Sequence, residues 1–413
     1  MIRTVRSNGR RTAMVLIALV TLLSAAWGSG VASASTTAAK TVAKASGDPI
    51  PVGALGSFTG AGSGSTAAAK TVFQDWVSWT NANGGINGHP VKAYILDDAN
   101  TPSTSLSNAQ ELVTQDKVKV VFDLSDDLES TWAPVVDAAN VPVLGMAESP
   151  TFLTDSNFYS TGTTVVSLIW GELDAARHAK VTKLAALYCA EIASCAQAVP
   201  LINQLGKPLN VSLVYSAKIS SSASSYTAQC LGAQSAGAKG GTVGAAGQTG
   251  LNVAESCATQ GYKPVWVTTA GEMTTPWLKQ SSVDGAIGNV QDVPWFDNSI
   301  PATKKMQAAL KKYSPGITTS SSFGATSTIG WSAGVVFSTV AKEVGLTPTS
   351  STSVLISGLD QVKNDTFGGL TPPLTYTAGK PNTIPCSFLV GIKNGHWTEP
   401  IGLKVVCQPE PAS

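Results

Sequence analysis

Charge is scarce in this chain. Only 13% of its 413 residues are Asp, Glu, Lys or Arg, and the formal net charge is +1. Arg3, Arg6, Arg10 and Arg11 stand within the first 34 residues and leave −3 on the remainder. No basic face stands out, which excludes the electrostatic footprint that binding a nucleic-acid backbone requires. Histidine is scarcer still: His89, His178 and His396 are scattered in sequence and read as surface residues. The six cysteines form no C-x-x-C pair and have no histidine near them, so a zinc site is excluded. The apolar run Ala13 to Ala26 is too short to span a bilayer, which takes about 20 residues.

What is present describes a well-cored globular protein. The hydrophobic fraction is 43%, and 413 residues are more than one ordinary domain, so two or three lobes are expected. Four arginines, the apolar run and the small-x-small site Ala32-Ser33-Ala34 read as a cleaved export signal over residues 1–34. Arg10-Arg11 is a twin-arginine pair, but the residues after it fit that signal poorly. Residues 35–47, rich in Ala, Thr, Lys and Ser, read as a disordered leader. Export turns the even cysteine count into an expected disulfide set. The elements favour one pairing. Cys386 and Cys407 bracket two strand-like runs joined by Asn394-Gly395, Cys189 and Cys195 flank a short loop, and Cys230 and Cys257 lie in consecutive helix-like segments.

The stretch Asn81 to Val121 organises the rest. Asn81, Asn83, Gly84 and Gly85 tolerate the left-handed backbone on which a helix stops. Asn87-Gly88 makes a tight turn, Val91 to Leu96 a strand, and Asp97-Asp98 its acidic tip. Pro102-Ser103 opens a helix whose Leu106, Ala109, Leu112 and Val113 share a face, and Lys119 to Leu124 reads as a buried parallel strand. This is one α-turn-β-α-β unit of an alternating sheet. The wording GGINGHPV, then DD, a proline and AQELV before a short strand resembles the type I periplasmic solute-binding proteins, and within them the branched-chain amino-acid (Leu/Ile/Val) binding group.

The resemblance implies an α/β fold of two Rossmann-like lobes with parallel sheets joined by a multi-crossover hinge. Residues 48–160 are then the first part of lobe I, 161–287 lobe II, 288–348 the second part of lobe I, and 349–413 a C-terminal crossover with a disulfide-tied hairpin. Strands are expected at Ile50–Leu55, Val91–Leu96, Lys119–Leu124 and Val141–Gly145 in lobe I. In lobe II they are expected at Leu184–Tyr188, Val211–Tyr215, Gly241–Ala245 and Pro264–Thr268, with the run Gly288–Val293 returning to lobe I. The implied function is capture of a small polar solute, an amino acid, amide or related compound, and its delivery to an ABC-type permease by a monomer that uses no cofactor and no metal. No cysteine sits near Ala34, so the lipid anchor common in such proteins has no attachment point.

Ligands of open α/β sheets sit beyond the carboxyl ends of the strands. The loops placed there hold Ser57, Phe58 and Thr59 after strand one, Ser125 and Asp126 after strand three, and Ala147, Glu148 and Ser149 after strand four. Their hydroxyl and N–H groups suit a small carboxylate or polar solute, although a lone serine there is also an ordinary helix cap. Ser125, Ala147 and Ser149 keep places where the family pattern holds hydroxyl and small residues. Asp126 and Glu148 put charge where that pattern is neutral, either to meet a cation or as solvated rim. In lobe II the acidic residue expected to hold an amino group is displaced: Ala270 takes the aligned place and Glu272 follows two residues later. Glu172 and Asp174 read as exposed helix charges available to a permease.

Two motifs point elsewhere. Gly62-x-Gly64-x-x-Ala67 imitates a dinucleotide fingerprint, but Asp97 comes about thirty residues on rather than about 20. Gly330-Trp331-Ser332-Ala333-Gly334 spells a nucleophile elbow, with Asp360 or Asp365 and His396 following in hydrolase order. A secreted serine esterase or lipase using Ser332 is the enzyme alternative, and a ligand-sensing receptor ectodomain the binding alternative. Against the elbow, the Ser/Thr/Gly-rich run before it is no buried strand, and Ile329, Ala333, Val336, Val340 and Val344 form a helical stripe. Trp132, Trp170 and Trp295 are candidates for the cleft wall, with core packing the commoner use of the residue.

Overall fold

Strand β1 (Ile50–Gly56) and strand β2 (Val91–Asp97) pair in parallel along their whole length, Ile50 with Val91 through Gly56 with Asp97. The helix between them, α1 (Ser63–Ala82), turns Val72, Phe73 and Trp76 inward and ends at Gly84 and Gly85, both with positive φ. Asn81 then holds the chain in register, its side chain accepting from the Val91 N–H and donating to the Val91 carbonyl. Helix α2 (Pro102–Thr114), β3 (Val121–Asp123), α3 (Glu129–Ala138), β4 (Val143–Gly145) and β5 (Phe158–Ser160) complete a five-stranded parallel sheet ordered β2-β1-β3-β4-β5. The computed structural model describes residues 44–409 apart from 61–62, 125–127, 146–147, 192, 246 and 270. The expected signal peptide and the leader as far as residue 43 lie outside the described residues. The last leader residues, Ser46 and Gly47, donate backbone hydrogen bonds to the Gly88 carbonyl.

Side chains alternate across this sheet and feed two cores. Val52, Ala54 and Phe122 pack with Phe73 and Trp76 of α1, while Leu55 and Val121 pack on the other face with Leu112 and Trp132. Helix α4 (Val165–His178) leads into the second sheet, and β6 (Lys183–Cys189), α5 (Ala193–Leu205), β7 (Ser212–Ile219), α6 (Thr227–Ser235), β8 (Gly240–Gly244), α7 (Gly247–Thr259) and β9 (Val265–Thr269) follow. Strand β10 (Ile287–Val290) pairs in parallel with β9, so the run β7-β6-β8-β9-β10 repeats the order of the first sheet. The sequence reading sent Gly288–Val293 back to lobe I. Instead β10 is an interior strand of the second sheet, and the chain crosses only after Val290.

Lobe I is completed by α8 (Pro301–Tyr313), α9 (Ala325–Glu343) and α10 (Thr352–Leu359), where Phe337 of α9 packs on Trp76 and Phe122. The chain then returns to the second sheet as β11 (Cys386–Lys393), antiparallel to β10, with β12 (His396–Thr398) and β13 (Val405–Cys407) paired to β11. Three crossings therefore connect the lobes, and they are bonded to one another. Gln291 Nε2 donates to the Thr163 carbonyl, Thr163 Oγ1 to the Cys386 carbonyl, and the Tyr376 hydroxyl to the Ser160 carbonyl. Disulfides join Cys189 to Cys195, Cys230 to Cys257 and Cys386 to Cys407, the pairing the elements favoured. Among the described residues no helix is long and apolar enough to cross a membrane.

Candidate functional site

A cavity of about 300 Å³ lies between the carboxyl ends of the two sheets, where an open α/β sheet places its ligand. Lobe I contributes Ser57 after β1, Ser65 and Thr66 in the first turn of α1, Asn100 after β2, Glu148 after β4 and Thr326 in the first turn of α9. Lobe II contributes Glu172 of α4, Thr242 of β8, Thr249 of α7, and Thr269, Gly271 and Glu272 at the end of β9. An apolar wall of Val165, Leu168, Ile169, Leu187, Val199 and Ile202 closes the lobe II side. The lobes touch around it: the Gly247 N–H at the start of α7 donates to Ser65 Oγ at 3.1 Å, and the Thr275 N–H donates to the Phe323 carbonyl at 3.0 Å.

The acidic tip of β2 shapes the first loop rather than the cavity. Asp98 Oδ1 accepts from Ser57 Oγ at 2.6 Å, and Asp97 accepts from the N–H groups of Phe58, Thr59 and Ala99 and from Thr59 Oγ1. Burial pushes the Asp97 carboxyl up, and this set of donors outweighs it and holds the group below its ordinary range. The loop is thereby fixed with Ser57 toward the cavity, Phe58 in the core and Thr59 exposed on Asp97. Ser149 caps the short turn at Pro150 by accepting from the Thr151 N–H, and it does not line the cavity. Of the other expected ligand residues, Glu148 and Glu272 line the cavity, and Ser125, Asp126 and Ala147 lie outside the described residues.

The electrostatics of the cavity are one-sided. The charged side chains that line it are Glu148, Glu172, Glu191 and Glu272, and among the described residues lining it there is no lysine, arginine or histidine. Glu172 is only 4% exposed, yet it lines the space. Its Oε1 has no hydrogen-bond partner, and burial raises its pKa to about 7 against the opposing hydrogen bond from Thr242. Glu272 is pushed well above the ordinary carboxylate range by burial, then by the charges of Glu172 and Glu148, and its Oε2 is also unpartnered. Glu148 reaches it from the other lobe: a Cβ added at Gly271 would sit 3.9 Å from Glu148 Oε1 and 2.8 Å from Thr326 Oγ1. Glu191, at the rim, is held down to about 2 by Ser220 against the opposing effect of burial, with the Ser221 N–H and hydroxyl adding to the lowering.

A narrow extension of about 10 Å³ runs from Glu148 and Gly271 to Asp292 at the hinge. Burial pushes Asp292 up to about 7 against hydrogen bonds from Ser332 and Thr328, and its Oδ1 is unpartnered. Ser332 is thus a buried residue in the middle of α9 bound to a carboxylate, with no strand leading into it. Asp360 accepts from the Tyr159 hydroxyl, Asp365 from the Phe367 N–H, and His396 is exposed on β12, so no catalytic triad is assembled. Trp132, Trp170 and Trp295 are buried away from the cavity. Glu172 and Asp174, read from sequence as exposed, are both buried because every residue of α4 from Ser167 to Ala176 is covered. Asp174 is bonded to Arg177, the only arginine after Arg11. Sequence reasoning also missed Ser65, Thr66, Thr242, Thr269 and Thr326. Their signal was position alone, at strand ends and helix starts.

A family model described as periplasmic binding protein matches residues 49–396. The chain belongs to the periplasmic binding proteins. Solved structures share its two-lobed type I fold. One is a branched-chain amino acid ABC transporter protein from Thermus thermophilus with bound valine, 12% identical, with 85% of this chain and 95% of that one covered and a TM-score of 0.75. Another is a possible leucine/isoleucine/valine-binding protein from Rhodopirellula baltica, 14% identical over 86% and 97%, with a TM-score of 0.73. A third is a fatty acid ABC transporter substrate-binding protein from Thermomonospora curvata, 16% identical over 88% and 93%, with a TM-score of 0.71. No curated protein matches the chain. At these identities the likeness is one of fold, and the ligand of this periplasmic binding protein must be argued from its own cavity.

Proposed function

We propose that this is an exported solute-binding protein that captures a small polar ligand between its lobes and presents the closed form to an ABC-type permease. The observation that carries the reading is the cavity of about 300 Å³ lined from both lobes at the carboxyl ends of their sheets, the small end of the range for ligand sites. A ligand there makes contacts with both lobes that an open form cannot make together, so binding and closure are the same event. The three disulfides fit an oxidising compartment outside the cytoplasm, and the N-terminal 34 residues supply the export signal. The fold neighbours that bind valine or serve a fatty acid transporter support the transport role and disagree on the ligand.

A thermal-shift screen of the purified chain against amines, amides, amino acids and carboxylates tests this. A ligand at a hundred times its Kd adds about 2.7 kcal/mol to the folded state. The expected result is a saturable upward shift for one class, with a fall in the radius of gyration in solution scattering as the lobes close. A shift with consumption of the compound would overturn the reading.

A further inference from the structure

We propose that the interlobe cavity selects a small organic cation, an ammonium or amidinium group set among Glu148, Glu172 and Glu272 with a short aliphatic chain on the wall of Leu168, Ile169 and Ile202. The inference rests on the solute-binding reading and names the class of solute. Three observations carry it. The first is the lining itself: four carboxyl groups and no cationic side chain among its described residues, so nothing in it would neutralise an anionic solute. The second is the pair of orphaned oxygens. Glu172 Oε1 and Glu272 Oε2 are buried without a hydrogen-bond partner, an arrangement that costs free energy unless a donor fills it. An ammonium carries three donors and no acceptor, and so satisfies such oxygens without competing for them. The third is origin: Glu148 comes from lobe I and Glu172 and Glu272 from lobe II, so a cation between them couples charge neutralisation to closure.

The charged groups that line the cavity with Glu172 are all acidic: Glu272 lies beyond β9, Glu148 beyond β4 and Glu191 beyond β6. The Tyr188 phenol of β6 is the other titratable group of the lining, and Asp292 stands past Glu148 in the narrow extension. Arg177 and His178 on the same helix are turned to Asp174 at its C-terminal end. Without a cation, burial favours the protonated carboxyls of Glu172 and Glu272, with the charges of Glu172 and Glu148 adding to it at Glu272, and a bound cation favours the ionised forms. Binding therefore releases protons to the buffer.

The test is calorimetric titration of the full chain at pH 6.5 with a matched set, hexylamine, agmatine, hexanamide and hexanoate, in two buffers of different ionisation heat. Hexylamine or agmatine is expected to bind with proton release and hexanoate not to bind. Glu172→Gln and Glu272→Gln should each weaken the amine at least tenfold, and Glu255→Gln, on the exposed face of α7, should not. Melting curves of each variant separate a lost site from a lost fold, and removal of a buried charge should leave the apo melting point unchanged or higher. Binding of hexanoate or hexanamide with unchanged affinity in Glu172→Gln overturns the cation inference and leaves the solute-binding reading in place. If the amines fail as well and no probe of any charge closes the lobes, both are overturned.

Discussion

The Ser332 hydroxyl donates to Asp292 Oδ2 at 2.7 Å from the interior of α9, where both residues are almost wholly buried. Thr328 reaches the same oxygen only at 3.4 Å. Ser332→Ala should therefore cost about 1–3 kcal/mol at pH 8, where Asp292 is ionised, and less at pH 5, as read by urea unfolding. A nucleophile would behave oppositely, with stability unchanged and esterase turnover lost. The two outcomes show why spelling alone misleads: the elbow needs a strand before the serine, and five residues do not carry that context. Glu148 and Glu272 were legible because they follow strands whose ends face the cleft. Glu172 was not. A helix charge is exposed by default, and only the unbroken burial of α4 against β9, β10, β11 and α5 of lobe II reverses that expectation.

Helices α1 and α9 cross closely because α9 presents glycine there. A Cβ at Gly334 would fall 2.3 Å from Trp76 Cδ2, and one at Gly330 3.0 Å from Leu124 Cδ2. The indole of Trp76 is boxed in by Phe73, Phe122 and Phe337 and cannot swing aside. Gly334→Ala gains up to about 1 kcal/mol of helix propensity and loses more to overpacking, for a net cost of about 1–2 kcal/mol measurable in thermal melts. A neutral or stabilised variant would mean that the helices separate freely. At this scale the sequence was informative. The stripe through Ile329, Ala333 and Val336 placed α9, and short β-branched runs placed most strands within two residues of their bounds. Strand β5 was not anticipated and β7 runs on to Ile219, while β10 was sent to the wrong lobe, because the pattern Ile287-Gly288-Asn289-Val290 says that a strand forms but not which sheet receives it. That choice is made by distant partners, Thr268 on one side and Val390 on the other.

Closure of two sheets over one cavity sets the pH behaviour of the whole molecule. Burial raises Glu172 and Asp292 to about 7 and Asp75 to about 6, and it also pushes Glu272 well above its ordinary range. In the unfolded chain these groups titrate near the ordinary 3.8 for Asp and 4.5 for Glu. Between those values and the raised ones the folded state holds more protons than the unfolded state, so stability falls as pH rises. The contribution is complete below about pH 4 and is lost through pH 6 to 7 as the folded carboxyls ionise. Glu191, held to about 2, and Asp97, also lowered, act with the opposite sign and are lost on acidification below the ordinary carboxylate range. The apo protein should thus melt highest near pH 5 and lower at pH 8. Glu172→Gln should flatten that descent by removing one buried ionisation. Melting temperatures taken every half unit from pH 4.5 to 8.5 read both effects. A curve that rises toward pH 8 in the wild type would show that the cavity carboxyls are already ionised and paired in the resting protein.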